Sequence, residues 1–184
     1  MRRGTRGSGR GDCLSPCNPA SFDNPLDFIA EEHLRERQIC AQIEHIASDE
    51  RPASFDVEHV LSFLDSEYGD HMRDETQELF PLLLERCEPE DDIGHVVERL
   101  NVDYAGAGKL VARVSRILRA CLARTYDLSR TDRKVLLSFV AHARRHLIVE
   151  NAIVLPLARA RLSGEDLAAF RLHILRRRGF VPHE

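Results

Sequence analysis

Two stretches of the chain carry the same arrangement of metal-binding groups. Residues 71–82 read His-Met-Arg-Asp-Glu-Thr-Gln-Glu-Leu-Phe-Pro-Leu, and residues 146–157 read His-Leu-Ile-Val-Glu-Asn-Ala-Ile-Val-Leu-Pro-Leu. Both fit H-x-x-x-E-x-x-x-[LV]-[FL]-P-L. On a helix, residues four apart share a face, so His71 stacks with Glu75 and His146 with Glu150. Each pair turns an imidazole and a carboxylate in one direction, a chelate for a borderline metal. A single such pair also occurs as a solvated surface contact. The doubling, with the same apolar-Pro-Leu ending at the same distance, favours the chelate.

The elements that position these pairs are helices. Of 184 residues, 30% are charged and 6% aromatic, there is no Trp, and Leu, Ala, Arg and Glu dominate. Such a composition favours an all-α protein. Residues 1–24, rich in Gly, Arg, Ser and Pro, read as a disordered extension. Its arginines make it locally basic; a solvated leader is the first reading and an RNA- or phosphate-binding tail the second. Residues 25–184 read as one domain. Asn24-Pro25 opens a first helix that runs to about Ala47. Ser54 caps a second, to about Cys87, in which Gly69 marks a kink or seam. Pro89 with Glu90, Asp91 and Asp92 starts a third, to about Leu122. Its inner stripe is Val97, Leu100, Tyr104, Gly108 and Val111. Ser129 with Asp132 boxes the start of a fourth, to about Leu162. Ser163 with Asp166 starts a short fifth helix ending at Gly179, where Arg176–Arg178 suit the negative helix end without any ligand. Short connections between the four long helices give an up-down-up-down bundle. Pro81 and Pro156 must each bend their helix or loosen one turn.

The repeat extends to whole helix pairs. His33 precedes His71 by 38 residues and Tyr104 precedes His146 by 42, so His33 and Tyr104 take matching places in two hairpins. The inner stripes then bring together His33, His71, Glu75, Tyr104, His146 and Glu150. That set is too rich for one structural zinc, which is closed by four N or S ligands. Two carboxylates on facing helices can instead bridge two metals. Mixed imidazole and carboxylate donors suit iron, with Mn or Zn less favoured.

At these residues the chain resembles the hemerythrin-like (HHE cation-binding) domains, over about residues 25–178. The first-helix stretch Glu32-His33-Leu34-Arg35-Glu36-Arg37 resembles the family's first histidine. His71, Glu75 and Leu79-Phe80-Pro81-Leu82 resemble its second-helix motif, and His146, Glu150 and Leu155-Pro156-Leu157 its fourth. The resemblance implies a hemerythrin-like bundle with a non-haem di-iron centre, bridged by the two carboxylates and an oxo or hydroxo group. It implies binding or sensing of O2, NO or iron, or action on peroxide (H2O2). The third helix departs from the pattern: an Asp/Glu-His ligand is replaced by Asp103-Tyr104, and Leu100 and Gly108 stand where a further His would be. A phenolate favours ferric iron, which weakens reversible O2 carriage and favours chemistry on peroxide or NO, or a ferric-state sensor. Tyr104 as a plain core tyrosine is the alternative.

Among other residues, His142 lies one turn before His146, as a supporting partner or an alternative ligand. Arg37 pairs at the bundle end or gates the site. His45, His59 and His95 fall on outer faces. The net charge of −4 gives no overall reason for nucleic-acid or anionic-membrane binding, and no apolar run approaches a membrane span. Five scattered cysteines suit reduced thiols in a cytoplasm. Two readings follow: a di-iron protein binding a small oxidant, with enzymatic turnover left open, and a non-enzymatic sensor whose metal occupancy sets a partner surface.

Overall fold

The computed structural model describes residues 15–123 and 127–181. Helix α1 is Pro25–Ser48. Helix α2 spans 54–86, its α-helical segments Ser54–Ser62, Tyr68–Asp74 and Phe80–Arg86 joined by π-turns Phe63–Glu67 and Glu75–Leu79. Helix α3 is Ile93–Leu122. Helix α4 spans 130–161, with a π-turn at Glu150–Val154 between Arg130–Val149 and Leu155–Arg161. Helix α5 is Gly164–Arg177. No strand occurs among the described residues.

Polar contacts along α1 and α4 run in opposite order. Asp27 meets Arg159 at 2.8 Å, His33 meets Asn151 at 2.9 Å and Glu44 meets Arg144 at 2.6 Å. The two helices are therefore antiparallel, and α1–α4 form the all-α, up-down-up-down bundle, with α5 packed along α1 and α2.

Most boundaries follow local chemistry. The Asn24 side chain accepts from Leu26 N–H at 2.9 Å, with Pro25 filling the first helical position. Ser129/Asp132 and Ser163/Asp166 each close a reciprocal capping box. Gly179, at φ 74°, ends α5 in the left-handed region that glycine reaches at little cost. Two expected starts move. Ala53, not Ser54, precedes α2, and no side chain caps it. Pro89–Asp91 forms its own 3-10 turn, after which Asp92 turns left-handed at φ 49° and α3 begins at Ile93. Residues 1–14 of the expected extension lie outside the described residues, but residues 15–24 pack on the bundle. Asn18 caps a 3-10 turn at Pro19–Ser21, and the Phe22 ring meets Phe28 edge-on at 5.8 Å.

Each motif proline has loosened a turn. A proline has no N–H for the α-helical ladder, and the turn just before it widens. Phe80 N–H bonds back to Glu75 O, and Leu155 N–H to Glu150 O, each five residues away. Both π-turns thus begin at the glutamate of the repeat.

The interior has two apolar parts. One holds Ile39, Ile43, Val60, Leu118, Leu136 and Phe139. The other holds Leu26, Phe28, Leu79, Leu83, Val154 and Phe170. Between them in sequence lie the buried histidines and acids of α1, α2 and α4, joined by Tyr104 of α3. They form a polar layer across the middle of the bundle.

Candidate metal centre

In α1, Ile29, His33, Glu36, Cys40 and Ile43 recur at spacings of four and three and are all buried. A helix packed on one face buries that stripe whatever its chemistry, so His33 and Glu36 are carried inward with the apolar residues. The same logic on α2 takes in Leu61, Leu64, Tyr68, His71 and Glu75. Tyr104 follows Leu100 inward on α3, where Ala107 rather than Gly108 continues the buried stripe. His146 and Glu150 come from α4.

All six predicted donors meet in this layer. His33 Nε2 lies 3.2 Å from Glu75 Oε1 and 3.7 Å from Glu150 Oε2. His71 Nε2 is 3.6 Å from Glu75 Oε2, and His146 Nε2 is 3.7 Å from Glu150 Oε1. The Tyr104 hydroxyl contacts Glu75 Oε2 and also Glu150 Oε1, the latter at 2.6 Å. A phenol has one hydrogen to donate, so two carboxylates from opposite hairpins converge on one oxygen. Donor atoms of His33, His71 and Glu75 all lie within 4.8 Å of one another, a spacing that fits a cation.

Charge in the layer is divided unevenly. Burial works to raise the Glu75 carboxyl, but His71 and hydrogen bonds from His33 and Tyr104 outweigh it and hold it below the usual carboxylate range. Burial, and then the Glu75 charge, raises Glu150 well above the carboxylate range. Two acids this close cannot both ionise without a cation. Burial pushes Tyr104 up as well, reinforced by Glu150 and Glu75. For His71, burial is overcome by Glu75 and Glu32, and the imidazole rises well above its ordinary value. His146 goes the other way: burial, against Glu75, takes it down to about 4, which leaves the neutral form that binds metal.

The donor set fits a metal on a second, independent count. Both ring nitrogens of His146 are buried with no hydrogen-bond partner among the described residues. Leaving buried polar atoms unmatched costs about 1–3 kcal/mol each, and an ion ligated by one of the two nitrogens removes its share of that cost. Residues 24–158 match the family model of the hemerythrin HHE cation-binding domain. The chain belongs to that family. Membership makes it a cation-binding domain of the hemerythrin kind, and the polar layer is where its His/Glu cluster lies. No curated protein is matched by the chain.

Around the hemerythrin-type layer stands a ring of supporting groups. His71 Nδ1 lies 3.1 Å from Glu32 Oε2, the carboxylate–imidazole pairing that sets a metal-ligating tautomer. Asn151 places its amide nitrogen 2.9 Å from His33 Nδ1 and bonds Leu147 O at 2.6 Å. Asp103 is 3.8 Å from His146 Nδ1. His142 stands beside His146, ring centres 5.4 Å apart. A cavity of about 10 Å³ opens among Glu36, Tyr68, His71 and His142, at the threshold of room for one water-sized group.

The surroundings hold contacts that the residue order does not announce. Arg37 is exposed on α1; the buried arginine is Arg35, which pairs with Glu67. Arg177 and Arg178 do more than complement a helix end: both reach the fully buried Asp74. Burial, opposed mainly by Arg178, lifts Asp74 to about 6. His45 and His95 are exposed as expected, while His59 is half-buried and meets Gln42 at 2.7 Å. Sequence reasoning passed over Glu32, Glu36, Tyr68 and Asn151. The four-three spacing of the α1 stripe was a signal for Glu36, and Glu32 lies one turn before it.

Proposed function

We propose that this hemerythrin-family bundle holds two iron ions and binds or senses a small oxidant: O2, NO or hydrogen peroxide. His33, His71 and Glu75 would hold one ion, and His146, Glu150 and Tyr104 the other, with both glutamates shared between them. The meeting of Glu75 and Glu150 at the Tyr104 hydroxyl carries this reading, because paired carboxylates from facing helices suit two cations. Imidazole with carboxylate and phenol favours iron over Mn or Zn.

Iron, when bound, supplies the redox change and the attachment point for the oxidant. The chain's own groups do the rest. Glu32 holds the His71 proton at Nδ1, and Asn151 fixes the His33 ring. The small cavity beside the layer, with room for about one water-sized group, favours the smallest guests. Tyr104 supports ferric iron, which favours reaction with peroxide or NO over reversible O2 carriage.

The test is anaerobic loading with ferrous iron, metal counting, and optical titration with O2, NO and peroxide in turn. Two irons per chain, a spectrum that answers at least one of these ligands, and a phenolate-to-iron charge-transfer band support the reading. Failure to retain iron, or a loaded spectrum indifferent to all three, overturns it. Continued consumption of peroxide would make the protein an enzyme. A second reading, the non-enzymatic sensor, is favoured by one observation: Glu32, which touches His71, is also held by Arg178 beyond the end of α5. Metal occupancy would then be felt at the C-terminal turn of α5, where a partner could read it.

A further inference from the structure

The two halves of the metal layer are unequally furnished. In the first, His33 and His71 stand with ring centres 5.1 Å apart, and both nitrogens of each ring have a polar group near them. In the second, α3 brings Tyr104 to the place that His33 takes in the first, which leaves His146 as the sole predicted imidazole. The imidazole nitrogens that are buried without a hydrogen-bond partner, among the described residues, all lie in this half: both of His146 and the Nε2 of His142.

His142 and His146 are four apart on α4, so their side chains project from one face. Their ring centres lie 5.4 Å apart at an interplanar angle of 30°, close to the His33–His71 separation in the better-furnished half. Both rings line the small cavity with Tyr104 and Glu150. Asp103, 3.8 Å from His146 Nδ1, favours the proton on that nitrogen and leaves Nε2 turned toward Glu150. A surface histidine would keep its nitrogens in water. A core histidine of purely structural use would bond them to neighbours. The His142 Nε2 does neither.

We infer that His142 is a metal ligand, the second imidazole of the α3/α4 half, joining His146, Glu150 and Tyr104 around the second cation. This rests on the two-ion reading above. It makes the halves alike in donors, with two imidazoles to each ion, although one pair comes from two helices and the other from a single helix. The tyrosine on α3 then adds to the imidazoles of its half and does not substitute for one.

The experiment compares full-length wild type with His142→Ala and His142→Gln, each loaded anaerobically with ferrous iron and separately with cobalt(II). Readouts are ions retained per chain, competition with a chelator, and the cobalt d–d spectrum. Circular dichroism of the metal-free variants checks the fold, and the glutamine variant keeps side-chain volume should alanine disturb it. Wild type is expected to keep two ions. Each variant is expected to keep one with unchanged affinity while the other weakens at least tenfold, with a changed cobalt spectrum. Millimolar imidazole added to His142→Ala should restore that spectrum. Variants that keep two ions with wild-type affinity and spectrum overturn the assignment of His142 and leave the two-ion reading standing. Wild type holding a single ion overturns both.

Discussion

Arg178 and Glu32, 146 positions apart in the chain, share a hydrogen bond of 2.8 Å, and the other oxygen of Glu32 receives His71 Nδ1 at 3.1 Å. Arg178 also contacts the buried Asp74 and lies over the Phe28 ring at 4.8 Å. The last turn of α5 is thereby tied to a metal-site histidine through one carboxylate. Residue 178 lies beyond the stretch matched to the hemerythrin family, which ends at 158.

Replacing Arg178 with Ala should act on both stability and metal. It strands part of the charge on Asp74 and Glu32, and breaking such a buried pair costs about 3–5 kcal/mol at most. Arg177 still serves Asp74, so a loss of about 2 kcal/mol is expected, seen as a fall in melting temperature of roughly 4–8 °C. Iron affinity should fall by about 10–100-fold, as when an outer partner of a metal-binding histidine is removed. Thermal melts and chelator competition measure the two effects separately. An unchanged affinity would show that Glu32 orients His71 without help from α5.

Glu75→Ala and Glu150→Ala should each lose most bound metal, since each removes an oxygen donor shared by both halves. Stoichiometry after desalting is the measurement. Full retention by either variant would exclude that residue as a ligand.

Tyr104→Phe keeps the ring stacked beside Phe80 at 6.2 Å and removes only the hydroxyl. The bundle should fold, and iron should bind without the phenolate charge-transfer band. In the metal-free protein the change leaves Glu75 and Glu150 facing each other without their shared donor, a cost of about 1–3 kcal/mol. A visible spectrum identical to wild type would return Tyr104 to the plain core.

Glu36 gives the metal-free protein a characteristic pH dependence. Burial, offset by His71 and reinforced by Glu75 and Glu32, lifts its carboxyl from 4.5 to about 7. Between those values the native state holds a proton the unfolded chain has released, so this group's contribution falls as pH rises from 4.5 to 7. His146 works in the opposite sense. Its value drops from 6.5 to about 4, so its contribution is lost as pH falls through that window. Glu36→Gln removes the first slope alone. Denaturant unfolding of chelator-treated protein should find the variant about 1–3 kcal/mol more stable than wild type at pH 8, with the gap closing near pH 4.5. Parallel curves would show that Glu36 is not a proton holder.

Much of this arrangement is legible in the residue order because it is local. Asn24-Pro25, Ser129 with Asp132 and Ser163 with Asp166 each signal a helix start within four residues. The doubled motif names its own histidines and glutamates. Where local chemistry competes with itself, the reading slips. Pro89 and its acids satisfy one another in a 3-10 turn, and the helix starts later, after Asp92. Long-range pairing is illegible for another reason. Arg177 and Arg178 find Asp74 103 and 104 positions away, and a charged residue's periodicity does not tell which opposite charge will face it. Glu36 was masked by its company, lying in a run of charged residues that looks solvated until its place in the four-three stripe is counted.

The placement of hydrophobic packing on both sides of the histidine and glutamate belt has a consequence for how the protein matures. Each flank excludes water on its own, so the helical scaffold is expected to survive chelation, which circular dichroism of the metal-free protein would show. Loading would then resemble fitting a part into a standing frame, with any response to the ion confined to the belt and the groups tied to it.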